Sequence, residues 1–83
     1  MRVLYFAWLR EKIGQSEDVL TLPDGITTPR GVIAWLRRRG GAYEAAFANE
    51  AVLRCAVDQE FCGLDAPCGA AREIAFFPPV TGG

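Results

Sequence analysis

The sequence predicts an α+β domain in which a mixed β-sheet carries one main helix packed on one face. The chain has 83 residues, which leaves room for one hydrophobic core. Five short segments rich in β-branched and aromatic residues are typical of strands. A single longer segment, between residues 27 and 40, has apolar side chains at helical spacing.

The first predicted strand covers residues 2–8 and carries apolar side chains on both of its faces. A short helical turn at residues 9–13 follows it and ends at Gly14. Residues 17–22 form the second strand, which stops at the turn signal of residues 23–25. Because few residues separate the two strands, we expect them to pair as an antiparallel hairpin.

The main helix has recognisable signals at both ends. Thr27 or Thr28 can cap its N-terminus, and Pro29 suits its first turn. Basic residues at 37–39 and glycine at position 40 suit the C-terminal end of a helix dipole. With a net charge of −1, this arginine run indicates a solvated helix end rather than a nucleic-acid patch. The core-facing residues are Val32, Ile33 and Leu36.

The second half of the chain predicts one brief helix and three strands. The helix covers residues 42–47, and strands follow at residues 53–57, 59–62 and 73–77. The two prolines at 78 and 79 stop the last strand, because proline has no N–H to donate to a sheet.

One face of this sheet lacks a helix to cover it. By alternation, Leu4, Phe6 and Phe77 point away from the main helix, and Phe61 joins them. Together they form an exposed apolar patch of the kind that marks a protein interface. The alternative is that loops of the same chain cover these side chains.

Composition excludes several function classes. Nine basic and ten acidic residues provide no broad positive field for a phosphate backbone, so we expect no nucleic-acid partner. The chain has no histidine, which excludes histidine-based triads and the usual zinc sites. No stretch approaches the roughly 20 apolar residues of a membrane span, and no signal peptide is recognisable. We expect a cytoplasmic protein without a membrane partner and without catalytic machinery of its own.

The three cysteines, Cys55, Cys62 and Cys68, are spaced more widely than those of most metal knuckles and redox motifs. We therefore predict buried or half-buried free thiols and no metal site. Redox sensing by Cys62 and Cys68 is the alternative.

The C-terminal residues carry the clearest functional signal. The two prolines hold the backbone extended, and Gly82 and Gly83 have no side chains, so residues 80–83 can thread a narrow channel in another protein. Attack on the Gly83 carbonyl is unhindered once its carboxylate has been activated, for instance as an acyl adenylate. We therefore divide the chain into a domain at 1–79 and a flexible tail at 80–83. A tail with no role beyond a disordered end is the alternative.

Two segments carry a family resemblance that covers essentially the whole chain in length and element order. The ending at residues 73–83 (EIAFFPPVTGG), with residues 3–7 (VLYFA), 9–11 (LRE) and Gly14, resembles the small subunits of molybdopterin synthase. These form the MoaD group of ubiquitin-like sulfur carriers. The resemblance implies a β-grasp fold, adenylation of Gly83, its conversion to a thiocarboxylate, and sulfur donation to form the molybdopterin dithiolene.

The resemblance also implies roles and partners. Gly83 carries the acyl group and the sulfur, while Val80, Thr81 and Gly82 insert into the partner. The implied partners are the large synthase subunit, in a heterotetramer, an E1-like adenylyltransferase that uses ATP, and a sulfur-donor protein. No cofactor is bound, and Gly83 becomes 1-thioglycine. The residues that match the family's hydrophobic contact with its partners are Phe6, Phe61 and Phe77.

Two alternatives and two departures accompany this interpretation. A β-grasp carrier for thiamine or cysteine synthesis would use the same glycine chemistry, and a ubiquitin-like modifier would join Gly83 to a substrate lysine. Family members often have Asn-Gln where this chain has Asp58 and Gln59, and an acidic turn where this chain has residues 69–72 (GAAR). The second departure removes negative charge near the partner surface.

Overall fold

The computed structural model describes residues 1–79. Within this range, the strands and helices follow the order that the sequence predicts, with one added 3-10 helix. The elements are β1 (Arg2–Tyr5), α1 (Trp8–Ile13), β2 (Glu17–Val19), α2 (Pro29–Arg37), α3 (Gly41–Ala46), the 3-10 helix (Glu50–Val52), β3 (Arg54–Val57), β4 (Glu60–Cys62) and β5 (Glu73–Phe77).

The five strands form one mixed sheet in the order β2-β1-β5-β3-β4. The first and last strands, β1 and β5, pair in parallel at its centre, and the other neighbours are antiparallel. The predicted hairpin of β1 and β2 is confirmed. No helix among residues 1–79 is both long enough and apolar enough to cross a membrane.

Helix α2 is the main helix, and its predicted N-terminal signals are confirmed. Thr28 is the cap, since its hydroxyl oxygen accepts a hydrogen bond from the Gly31 N–H at 3.1 Å. Pro29 occupies the first turn, where its missing N–H leaves no bond unmade. The apolar stripe is fully buried at Val32, Ile33 and Leu36.

The core lies between the helices and one face of the central strands. Val3 and Tyr5 of β1 and Ile74 and Phe76 of β5 point into it. Phe47, which follows α3, lies between two of these rings, with its centroid 6.1 Å from that of Tyr5 and 5.4 Å from that of Phe76. Each buried side chain of this size contributes about 1.5–3 kcal/mol to folding.

The predicted end of the first strand is wrong. The strand stops at Tyr5 because Ala7 has φ +54° and ψ −134°, which turns the chain into α1 at Trp8. Ala7 is therefore exposed and does not share the core face with Val3 and Tyr5.

The second strand also ends early, at Val19 rather than residue 22. Because β1 begins at Arg2, the ladder ends where Leu20 exchanges hydrogen bonds with Met1 at 2.8 and 2.9 Å. Leu20 then enters the core. The 3-10 helix was not predicted, and α3, β3 and β4 differ from their predicted bounds by one residue at one or both ends.

A two-residue turn joins β3 and β4. Asp58 and Gln59 both have left-handed backbones, with φ +48° and +71°, a conformation that aspartate and asparagine tolerate better than most residues. The Asp58 carboxylate accepts hydrogen bonds from the N–H groups of Arg72 (3.0 Å) and Glu73 (3.1 Å). The turn therefore holds the start of β5 in place.

Candidate functional site

The face of the sheet opposite the helices is apolar at its centre, as predicted. The strand register places Leu4 beside Ala75, Ala75 beside Ala56, and Ala56 beside Phe61. Since side chains alternate along a strand, all of these lie on the side away from Val3 and Tyr5. We call this surface the open face: Leu4, Phe6, Ala56, Phe61, Ala75 and Phe77.

Phenylalanine rings gather at one end of the open face. Phe61 and Phe77 meet edge to face, with ring centroids 5.6 Å apart. Phe61 is 86 % exposed and Phe6 is 46 % exposed, so the other residues between 1 and 79 leave both rings accessible. Phe6 follows β1 directly, and its N–H donates to the Phe76 carbonyl at 3.1 Å. This clustering is the feature that marks an interaction surface.

A shallow groove of about 340 Å³ opens beside these rings. Its lining includes Pro79, the last described residue, so the groove lies where the chain leaves the sheet toward residues 80–83. The Arg54 guanidinium donates to the carbonyl of Leu53 at 2.9 Å and, within residues 1–79, forms no ion pair. The groove therefore has an apolar wall and an available positive charge. The lining residues are Arg54, Cys55, Phe61, Cys62, Phe77 and Pro79.

The other end of the open face differs in character. Arg2 lies between Glu17 at 3.0 Å and Glu73 at 3.6 Å, and its hydrogen bond to Glu17 raises the pKa of the guanidinium. Val19 is the exposed apolar residue here, at 77 %. Charges at this end are paired with one another, so the surface suited to apolar contact lies at the phenylalanine end.

The two tyrosines with raised pKa values lie close to Asp18. Burial, followed by hydrogen bonding to Asp18, raises the pKa values of Tyr5 and Tyr43. Tyr5 lies on the helix-covered side of the sheet, away from the open face. Among residues 1–79, no group of acidic or cysteine side chains is arranged to hold a metal ion.

The predicted tail residues Val80, Thr81, Gly82 and Gly83 lie outside the described residues, and their roles stay predictions. The structure does bring Phe6, Phe61 and Phe77 to one face. Arg54 was missed by sequence reasoning, although alternation from Ala56 places it on the same side of β3. The three cysteines are free thiols, with Cys55 and Cys68 buried and Cys62 half-buried, as predicted.

Comparison with known proteins decides the family. The model of the ThiS family matches residues 3–83. The chain belongs to the ThiS family. Two curated bacterial relatives of this ThiS-family chain are each named molybdopterin synthase sulfur carrier subunit. The protein from Haemophilus influenzae is 37 % identical and that from Escherichia coli 31 %, and each alignment covers all of this chain and 99 % of the relative.

A third relative with the same name, from Mycosarcoma maydis, is 36 % identical across all of this chain and 92 % of its own length. The resemblance seen in the sequence is thereby confirmed. Each of the three alignments spans all of this ThiS-family chain.

Solved structures confirm the β-grasp fold. The putative molybdopterin converting factor subunit 1 from Pyrococcus furiosus superimposes with a TM-score of 0.74 at 26 % identity, over 95 % of each chain. The crystal structure of SAMP1 from Haloferax volcanii gives a TM-score of 0.72 over all of this ThiS-family chain and 98 % of the other. Because the sequence identity to SAMP1 is 22 %, this second comparison supports only the fold.

Proposed function

We propose that this chain is the sulfur carrier subunit of a molybdopterin synthase, and that Gly83 carries the sulfur. The observation that carries the proposal is the cluster of accessible phenylalanine rings beside the end of β5, which leads to residues 80–83. The names of the three full-length relatives support the same function.

In this function the carboxylate of Gly83 is the reactive group. An E1-like adenylyltransferase joins it to the AMP part of ATP, and pyrophosphate leaves. Sulfur at the sulfide oxidation level, supplied by a donor protein, then attacks the acyl carbon and displaces AMP, which leaves a thiocarboxylate, 1-thioglycine. The chain binds no cofactor, and its partners supply the acids and bases. Because activation consumes ATP, we place the carrier in the cytoplasm. The large synthase subunit receives the sulfur for the molybdopterin dithiolene, in a heterotetramer of two carriers and two large subunits.

The open face provides the docking surface for this transfer. Burying one exposed phenylalanine ring against a partner contributes about 1.5–3 kcal/mol. Docking through a rigid sheet also fixes the position from which residues 80–83 extend, so the sulfur of residue 83 reaches its target without a diffusive search. Arg54 at the groove suits an acidic residue of the partner.

Intact-mass analysis tests the proposal. After incubation with ATP, the adenylyltransferase and a sulfur donor, we expect one oxygen of the chain to be exchanged for sulfur, and the product to convert the pterin precursor when the large subunit is added. The variant lacking Gly83 is the control and stays unmodified. Linkage of Gly83 to lysines would indicate a ubiquitin-like modifier, and sulfur transfer only to a thiamine or cysteine precursor would indicate another pathway.

A further inference from the structure

Cys55 and Cys62 lie directly opposite one another on β3 and β4. Their sulfur atoms are 3.7 Å apart, and both cysteines are free thiols. Among residues 1–79, this is the one sulfur pair within 4.0 Å, because Cys68 makes no such contact. The hairpin therefore pairs two of the three thiols and leaves the third apart.

The position suits a covalent bond between the two sulfurs. Directly opposite residues in an antiparallel pair have Cα atoms about 4.5–5.5 Å apart, within the range of about 4.4–6.8 Å found in disulfides. We propose that Cys55 and Cys62 form a reversible disulfide when a hydroperoxide oxidises the protein. The sulfurs need to approach by less than 2 Å from 3.7 Å, through side-chain rotation.

The two cysteines have different surroundings and hence different parts in the reaction. Cys62 is half-buried on the edge strand β4, whereas Cys55 is buried on β3 inside the sheet, so Cys62 meets the oxidant first. Cys55 is buried, and burial, with the Cys62 hydrogen bond, raises the pKa of its thiol to about 12. Cys55 therefore stays protonated at neutral pH and reacts second.

The chemistry balances in two steps. The Cys62 sulfur attacks one oxygen of hydrogen peroxide, the O–O bond breaks, and a sulfenic acid and one water form. The Cys55 sulfur then attacks the sulfenic sulfur, and the displaced hydroxyl takes the Cys55 proton and leaves as a second water. Two electrons pass from the two thiols to the peroxide. The ring encloses only a short hairpin, so it gains less chain-entropy stabilisation than a long loop would, and a dithiol can reverse it.

Thiol counting and peptide mapping of the full chain test this inference. With limiting hydrogen peroxide, we expect free thiols to fall from three to one, the intact mass to fall by two hydrogens, and dithiothreitol to restore both. Cleavage after arginine and acidic residues separates the cysteines, since Arg54, Glu60 and Asp65 lie between or before them. The expected cross-link joins the Cys55 peptide to the Cys62 peptide.

Two alanine variants form the matched controls. Cys62→Ala removes the first reactive thiol, and we expect it to form no intramolecular disulfide. Cys68→Ala is expected to form the bond as readily as the natural chain. A disulfide that includes Cys68, a bond between two chains, or oxidation of all three thiols to sulfinic acids at equal rates would overturn the proposal. The assay uses neither the Gly83 chemistry nor a partner, so its outcome is independent of the proposed function.

Discussion

Phe61 is the most exposed large apolar side chain of residues 1–79. A substitution at this one residue therefore tests whether the open face binds the partner. Replacing it by Asp should weaken binding to the large synthase subunit at least about tenfold, since a ring that docking would bury is lost. The free energy of unfolding should change by less than about 1 kcal/mol, because the ring is already in water. Titration calorimetry and urea unfolding measure the two effects.

Val19→Asp is the matched control for Phe61→Asp. Val19 is also exposed and apolar, but it lies on the edge strand β2 at the opposite end of the sheet face. We expect the large subunit to bind this variant with unchanged affinity. If both variants lost affinity for the large subunit equally, the phenylalanine end of the open face would not be the main docking site.

Tyr5 gives the stability of the fold a dependence on pH. Its hydroxyl donates to the Asp18 carboxylate at 2.7 Å, and burial followed by this bond raises its pKa above the ordinary value of about 10. A raised pKa in the folded state means that the unfolded chain ionises first as pH rises. The stabilisation from Tyr5 is therefore complete below pH 10 and declines above it.

Tyr5→Phe tests this assignment by urea unfolding between pH 7 and 11. At pH 7 we expect a loss of about 1–2 kcal/mol, because Asp18 loses one hydrogen bond but keeps that from Tyr43 at 2.8 Å. Above pH 10 the difference in the free energy of unfolding between this variant and the natural chain should become smaller. A gap that stays constant to pH 11 would show that Tyr5 titrates normally.

At the scale of elements, Ala7 forces the end of β1. Its φ of +54° with ψ −134° is a sparsely populated backbone conformation for a residue with a Cβ, and it costs about 1–3 kcal/mol. Ala7→Gly should therefore raise the free energy of unfolding, by up to about 1 kcal/mol after the entropy cost of glycine. Ala34→Gly, at an exposed position inside α2, should lower it by about 1 kcal/mol. Thermal unfolding of both variants measures whether the two changes in stability have opposite signs.

The turn between β3 and β4 should accept asparagine in place of Asp58. Asp58→Asn keeps an oxygen that can accept from the Arg72 and Glu73 N–H groups, and it tolerates the left-handed backbone. We expect the free energy of unfolding of this variant to stay within about 0.5 kcal/mol of that of the natural chain. Asp58→Ala should lose about 2 kcal/mol, since it removes both bonds and strains the turn. Equal unfolding midpoints for the two variants would contradict this.

Local signals decided which elements the sequence could predict. The bounds of β5 follow from the prolines that stop it, and the start of α2 follows from Thr28 and Pro29. The ends of β1 and β2 depend on a strained backbone at Ala7 and on the ladder running out at Met1. Both are tertiary features that strand propensity does not contain.

The same distinction holds for the candidate site. Alternation was sufficient to place Phe6, Phe61 and Phe77 on one face, because one helix can cover only one side of the sheet. The pairing of Cys55 with Cys62 requires the register of β3 and β4, which the position of the turn at Asp58 determines. Pattern alone could not provide that register.

At the scale of the whole molecule, the fold and the tail should be separable. Appending one alanine after Gly83 should lower the rate of sulfur transfer to the pterin precursor at least about 100-fold, because the reacting carbon is displaced from its target. The melting temperature and the affinity for the large subunit should stay unchanged. Transfer at the natural rate by the extended chain would exclude the Gly83 carboxylate as the sulfur carrier.

The central position of β5 has a mechanical consequence. A partner that grips residues beyond Pro79 pulls along β5, which is bonded to β1 on one side and β3 on the other. Such a force loads both ladders in shear, so many hydrogen bonds must break together before the strand slides. A strand at the edge could instead be peeled away bond by bond. If the proposed function holds, the domain would keep its fold while an enzyme holds and then releases the residues beyond Pro79.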